Sequence, residues 1–481
     1  MKEKKNKKMQ GNMSSFRFWL IVWGMGLAGQ LCWNMENQWF NTFVYAKIGQ
    51  DVDIVTWMVI LSAFVTTIST FVFGTMSDRM GSRKKFVSIG YIIWGIATII
   101  FGLTEYVGSL SGSSIALAGF LVVFTDAIMS FFGSMGNDSG YNTWLNDYTN
   151  DENKGQVGAA LAALPVIGTV VGTVLGGMLV NIGNDTVGTD AYNPALDNYQ
   201  LLFWAMGIFV IVVGVISLFI IKDHPDVKPT KNGSFFKQVT DVFRFSTLKN
   251  NPYLKEMLLA NLVACCFFIP FNFYFTHMGN WIIYDVGFTA GDMGLIQGIP
   301  LILAVLVTIP FIKLINKNQI PLVALISVLA NALGLFLIFI TVKDSNNVDT
   351  SNLFALKNLP LFFYVFLVGV GYVLITQACM IWVKGLFPNE SRGQFEGVRV
   401  LFFTLIPMLI GTLIGNFIIK KTASVHPELD SYGNIIEVPQ ENLFGFAALI
   451  VILTLIPLFF GAKAYYKRIK EQKSNTVINE D

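Results

Sequence analysis

Three observations predict an all-α polytopic membrane protein with twelve transmembrane helices in two six-helix pseudo-repeats. The first is composition: 53% of the 481 residues are hydrophobic, only 13% are charged and 42 are Phe, which is too apolar for a soluble chain of this length. The second is that apolar windows of about 20 residues, long enough to cross a bilayer as a helix, recur twelve times. The third is an internal repeat. "ENKGQ" at Glu152 to Gln156 returns as "ESRGQ" at Glu390 to Gln394, an offset of 238. At that offset Trp144 falls on Trp382 and Asn34 on Asn272; one residue more pairs Asn41 with Asn280 and Tyr45 with Tyr284. Several matches in register divide the chain into bundles 1–222 and 253–481, joined by a cytoplasmic linker 223–252.

In the first half the spans are expected near 17–46, 53–77, 86–106, 114–146, 155–182 and 200–222. In the second they fall near 253–285, 290–314, 319–342, 359–385, 395–419 and 443–466. With the basic "MKEKKNKK" start inside, an even number of spans returns "YYKRIKEQK" to the same side. The outward connections then hold Lys47, Lys343, Lys357, Lys420 and Lys421, five of the 33 Lys and Arg. That bias is the positive-inside signature, and it places both termini in the cytoplasm and the chain in the cytoplasmic membrane. The first span is too long for a signal-peptide core and no small-residue cleavage site follows it, so it is read as an uncleaved helix. In the linker, "FFKQVTDVFRF" has the pattern of an interfacial amphipathic helix.

Several function classes lose support. The net charge of +2 implies no nucleic-acid partner, and the basic tails suit membrane lipid head groups. Cys32, Cys265, Cys266 and Cys379 all fall within spans, as packing residues and not as disulfides or metal ligands. The chain has no HExxH, Walker loop, GxSxG or paired CxxC. No enzyme activity, cofactor or metal is expected, and a monomer is.

Between the second and third spans, "GTMSDRMGSRKK" carries Gly74, Asp78, Arg79, Gly81, Arg83, Lys84 and Lys85. An acid at a cytoplasmic helix end can pair with basic groups and dock its neighbours. The loops that follow the fourth and tenth spans offer Lys154 and Arg392 for the same latch. With two parallel six-helix halves, this stretch resembles the signature of the major facilitator superfamily, although Ser82 stands where many members carry a basic residue. The resemblance implies alternating access and a substrate site near the bilayer midplane between the halves. Within that superfamily, "NDSGYNTWLNDYTNDENKGQ" is similar to the glycoside, pentoside and hexuronide cation symporters and to sucrose-type carriers. Asp138, thirteen residues before Asp151, matches the spacing of a sugar-contacting aspartate in melibiose-type members. No acid occurs between Thr56 and Ser77, where those symporters hold their cation, and their functional lysine is missing near Met408.

The first span is interrupted by "CWNMENQWFN". Gln30, Asn34, Asn37 and Asn41 are spaced i, i+4, i+7 and i+11, one stripe of a regular helix with Trp23 below it. Amides with an indole suit a sugar, whose hydroxyls need donors and acceptors and whose C–H face stacks on a ring; alternatively the amides bond neighbouring helices. Glu36 lies more than about 100° from this stripe and faces another helix, either as a proton carrier or as a protonated hydrogen-bond donor.

In the fourth span Asp138, Tyr141 and Asn142 share a face with Ser134. Asp126 stands about 18 Å further outward, as a gate or a packing acid. The seventh span repeats the chemistry of the first in "PFNFYFTHMGNW", where Asn272, Thr276 and Asn280 share a face beyond Pro270. His277 there is a relay or a packed residue. Gln377 and Trp382 complete the expected cavity walls. Gly168, Gly172, Gly176 and Gly177 let a neighbour approach the fifth span. They also resemble the glycine motif of drug and proton antiporters, with Thr173 in place of its proline.

The function expected from these features is secondary active transport of a sugar, a glycoside or oligosaccharide, by symport with a coupling cation, H⁺ by preference. Asp138, Glu36, Asp126 and His277 are the coupling candidates. A proton-coupled drug efflux antiporter is the alternative, and a non-transporting membrane sensor is a third.

Overall fold

Runs rich in Leu, Ile, Val and Phe that are too long for one strand can satisfy their backbone inside a bilayer only as helices. The computed structural model describes residues 9–10, 13–108, 115–150, 152–182, 192–230, 233–241, 251–342, 347–387, 398–425 and 435–478. Among these, eleven helices are long and apolar enough to cross a membrane. We label them α2 (Val52–Met80), α3 (Lys84–Val107), α4 (Ile115–Tyr148), α5 (Gln156–Val180), α6 (Tyr199–Ile220), α7 (Leu254–Asp285), α8 (Ala290–Asn316), α9 (Ile320–Thr341), α10 (Leu356–Lys384), α11 (Val398–Val425) and α12 (Asn442–Gln472). The remaining expected span, α1, runs from Ser15–Asn34 through a π turn Met35–Trp39, a short α segment Phe40–Phe43 and a second π turn Val44–Ile48. Its amides and glycines dilute its hydropathy but not its length. Twelve membrane helices therefore follow one another much as the apolar windows predict.

Helix ends follow local chemistry. Asp51 caps α2 by accepting from the Asp53 backbone N–H at 2.8 Å, and Asn198 caps α6 by accepting from that of Leu201 at 3.1 Å. Gly81 ends α2 in the left-handed region at φ 62°, where Pro229 would crowd any Cβ. In the linker the described helix is short, Phe235–Asp241; the remainder of the amphipathic stretch expected there lies outside the described residues.

The chain forms two compact units, Met1–Thr240 with Thr289–Gly294, and Asp241–Phe288 with Leu295–Asp481. The same neighbours recur in each. In the first, α3 packs on α4 and α6, and α1 on α5; in the second, α9 packs on α10 and α12, and α7 on α11. Small residues make the α1–α5 contact possible: Gly168, Gly172 and Gly176 face Gln30, Asn34 and Trp39 at distances that leave no room for a Cβ. In the second unit, Gly411 and Gly415 of α11 stand in the same way against Ile269, Asn272 and Phe273 of α7.

Candidate functional site

The π turn at Met35–Trp39 decides what the polar residues of α1 face. A π turn inserts one residue, so side chains beyond it are rotated by about 100° from regular-helix phase. Gln30 and Asn34, before the turn, lie against the glycines of α5. Asn34 donates to the Thr173 hydroxyl at 3.2 Å, and that hydroxyl donates to Gln38 at 2.7 Å. Trp39 donates from its indole to the Gly172 carbonyl at 3.1 Å. Asn37 is exposed and Asn41 buried, and each donates to a carbonyl one turn back, Trp33 and Asn37 respectively. Thus the four amides do not form one open stripe. Asn37, half-buried Gln30 and Trp23, 42% exposed, remain accessible.

Glu36, inside the turn, lies at the α2–α4 seam. The seam is a ladder of hydroxyls. Ser69 donates to the Phe131 carbonyl at 2.6 Å, and Thr70 and Ser134 share a hydrogen bond of 2.7 Å. At its next step Ser62 of α2 and Ser130 of α4 both donate to Glu36 Oε1, at 2.6 and 2.7 Å, and their hydroxyls also touch each other. Asp126, one turn before Ser130 on α4 and 1% exposed, lies within electrostatic range of Glu36 and beside Ser62. Among the described residues, Glu36 Oε2 and Asp126 Oδ1 are buried without a hydrogen-bond partner, and no Lys or Arg pairs with either acid. Two buried carboxylates without a cation cannot both hold charge cheaply, so the arrangement favours binding at least one proton or metal cation.

Further along the chain, α4 has its own π turn at Asn137–Tyr141. Asp138, half-buried, belongs to it and lies within electrostatic range of Glu36. Its neighbours are partly committed. Tyr141 donates to the Val22 carbonyl at 2.7 Å, and Asn137 donates to the Tyr91 hydroxyl at 2.8 Å. Asn142 is half-buried beside them. Three acids expected as coupling candidates are thereby brought together electrostatically, with Glu36 linking the other two. Ser62 and Ser130 were missed. The spacing of Ser62, Thr66, Ser69 and Thr70, a hydroxyl stripe on α2, was the available signal.

At the latch, Arg83 sits in a buried fork, 2.6 Å from Asp78 and 3.0 Å from Asp147. Burial works against its charge, but the two carboxylates more than offset this and raise the pKa of the guanidinium above its ordinary value. Asp223 then caps α3, accepting from the Arg83 and Lys84 backbone N–H groups at 2.7 and 2.8 Å and from the Ser82 hydroxyl at 2.7 Å. Arg79 donates to the Gly233 carbonyl and to Gln238, and the Thr230 N–H donates to the Asp78 carbonyl. The turn between α2 and α3 is thus anchored to α4 and to the linker, whereas Gly74 lies inside α2, about two turns before it. Arg392 and the side chain of Lys154 lie outside the described residues.

In the second unit the expected set is dispersed. On α7, Asn272 and Thr276 donate to carbonyls of their own helix at 2.7 and 2.5 Å, and Asn280 is buried. His277 is fully buried, with no hydrogen-bond partner for either ring nitrogen among the described residues. Gln377 is half-buried on α10. Trp382 lies at the far end of α10, where its indole donates to Glu256 at 2.9 Å. That carboxylate also takes a two-pronged contact from Arg468, at 2.9 and 3.0 Å.

The family model of the Major Facilitator Superfamily matches residues 22–350 and 280–478. The chain belongs to the major facilitator superfamily. It is therefore a multi-pass membrane transporter, as the latch and the repeated bundles suggested. No curated protein matches the sequence. Among solved structures it resembles the nucleoside transporter NupG, in its mutant form, at 12% identity and TM-score 0.64, covering 92% of this chain and 99% of that one. A D-xylose-proton symporter matches at 14% and 0.62, over 91% and 97%. A bacterial homolog of the human lysosomal transporter Spinster matches at 14% and 0.61, over 94% and 97%. At these identities the likeness shows the shared fold.

Proposed function

We propose that this superfamily member is a secondary active carrier that moves a sugar, a glycoside or oligosaccharide, across the cytoplasmic membrane by symport with a proton. The observation that carries this is the pair of Glu36, its carboxyl enclosed on α1, and Asp126, buried on α4, with two serine hydroxyls and, among the described residues, no basic partner. An ionised Glu36 draws the Ser62 and Ser130 hydroxyls and so ties α1 to α2 and α4. A proton on it weakens those charge-assisted bonds and relieves its repulsion with Asp126. The proton's state is thereby linked to how three helices are joined.

Substrate recognition falls to Asp138 and Asn142 on α4, with Asn37, Gln30 and Trp23 on α1. A carboxylate accepts paired sugar hydroxyls, amides both donate and accept, and an indole covers the C–H face of a pyranose. Because Asp138 lies within the field of Glu36, the proton and the sugar influence each other's binding reciprocally. One of the similar folds belongs to a D-xylose-proton symporter, which is in keeping with this chemistry. The glycines of α5 that resemble an antiporter motif are accounted for by their close packing on α1. The carrier works as a monomer with both termini in the cytoplasm. Uptake of a panel of labelled sugars into proteoliposomes, with and without an inward proton gradient, tests it. Accumulation that ignores the gradient for every sugar bound sinks the proposal.

A further inference from the structure

A pocket of about 340 Å³ opens in the second unit where the α8–α9 turn, the end of α10 and the end of α12 meet. Its walls include Asn318, Ile320, Ile381, Trp382, Tyr465 and Arg468. Trp382 and Tyr465 are buried and meet edge to face at 5.5 Å, and the Arg468 guanidinium stands 5.1 Å from the Tyr465 ring. Glu256 grips Arg468 by Nε and Nη2, which leaves Nη1 outside the fork, turned to Gln472 at 3.5 Å. Each chain segment that builds a wall also carries a basic residue next to a lining one. Lys317 precedes Asn318, Lys384 precedes Gly385, and Lys467 and Lys470 flank Arg468 and Ile469. Among the described residues, the acids close by are already engaged: Glu256 with Arg468, and Glu471 with Lys467 at 3.9 Å. The rim is therefore net positive.

Ile381 on one wall is 49% exposed on an otherwise apolar span, as is suited to an acyl chain. We propose that this pocket holds the phosphate head group of an anionic phospholipid of the inner leaflet, its acyl chain lying along Ile381. The phosphate meets Arg468 Nη1 and the rim lysines, with the amides of Asn318 and Gln472 as further donors. The site rests on the positive-inside orientation proposed above and not on the sugar or the proton. A lipid seated there bears on the joint where Glu256 of α7, Trp382 of α10 and Arg468 of α12 are fastened together.

Native mass spectrometry of the purified full chain, titrated with phosphatidylglycerol or phosphatidylcholine, tests this directly. The wild-type protein should retain phosphatidylglycerol in clear preference. The combined variant Lys317→Gln, Lys467→Gln, Lys470→Gln should bind it more weakly, by up to about 100-fold if each lysine contributes its usual share near an anionic surface. An equal loss of charge in the other unit, Lys222→Gln, Lys228→Gln, Lys237→Gln, should leave binding within about two-fold. Inorganic phosphate should not displace the lipid. Equal retention of phosphatidylcholine, an equal loss in the control variant, or displacement by inorganic phosphate would each overturn the proposal. Sugar transport enters none of these readouts, so failure here and failure of the symport proposal are distinguishable.

Discussion

Glu36→Gln removes the one acid that touches both serines and interacts with both aspartates. A carboxamide is nearly isosteric, and its oxygen can still accept from Ser62 and Ser130, now 2.6 and 2.7 Å from Oε1. Hydrogen bonds to a charged group contribute about 1.5–3 kcal/mol each and those to a neutral one about 1. The substitution therefore weakens two bonds, and it also removes repulsion from Asp126 and the cost of burying a charge. These terms oppose each other, so net stability should change by no more than about 1–2 kcal/mol. Coupling, in contrast, should disappear altogether. A gradient of about one pH unit supplies about 1.4 kcal/mol per proton, a ten-fold accumulation, and about 100 mV, inside negative, adds about 2.3 kcal/mol per charge moved.

Wild-type proteoliposomes should concentrate the sugar ten-fold or more under such a gradient. The Gln variant should reach only equal concentrations inside and out while still exchanging labelled for unlabelled sugar. Uphill accumulation by Glu36→Gln would refute the assignment outright. A loss of both exchange and thermal stability would show that Glu36 is a structural acid.

Two cysteine variants separate the faces of α1: Asn37→Cys should react with a polar thiol reagent in a background lacking native cysteines, whereas Asn34→Cys, against α5 at 5% exposure, should be protected. Equal reactivity would mean that the π turn does not divide the stripe. Asp138→Asn should weaken sugar binding by roughly 1.5–3 kcal/mol, ten-fold to more than a hundred-fold; unchanged affinity by tryptophan fluorescence would remove Asp138 from the site. Arg83→Gln leaves Asp147 without its cation inside a partly buried fork and should destabilise the first unit by about 2 kcal/mol, with transport falling more than ligand affinity. A thermal shift no different from that of an exposed Lys85→Gln would count against the latch.

Much of the fold could be read from the sequence, because length and hydropathy are what a bilayer selects. Most apolar windows ended within a few residues of their helices, although the last two helices run on to Val425 and Gln472, beyond windows that end at 419 and 466; near Asp78 and Gly81, Arg83 lies between two acids. The linker's Asp223 could not be foreseen, since nothing local says that a carboxylate just beyond α6 will cap α3. The candidate site was legible as a list of residues and not as an arrangement. Asn34 and Asn37 look equivalent on a regular helix, yet one bonds to α5 and the other is exposed. Trp382 matches Trp144 in the repeat, but it is spent on Glu256 at a helix end.

The π turns explain why residues could be named and faces could not. A pattern argument assumes about 100° per residue throughout, and α1 and α4 both break that rule within a residue or two of an acid, at Met35–Trp39 and at Asn137–Tyr141. An inserted residue costs helix regularity and is kept where it re-aims a side chain. Here it brings the one glutamate of α1 to the serines of α2 and α4 and leaves the preceding amides on α5. Restoring regular pitch by deleting one residue of the turn, Met35, should swing Glu36 about 100° back around α1, to the position directly after Asn34, and withdraw it from Ser62. Such a variant should still insert into the membrane, since the apolar length of α1 barely changes, and should lose proton coupling as Glu36→Gln does. If it keeps proton coupling, the π turn has no part in placing the acid, and the seam between α2 and α4 must draw Glu36 in unaided.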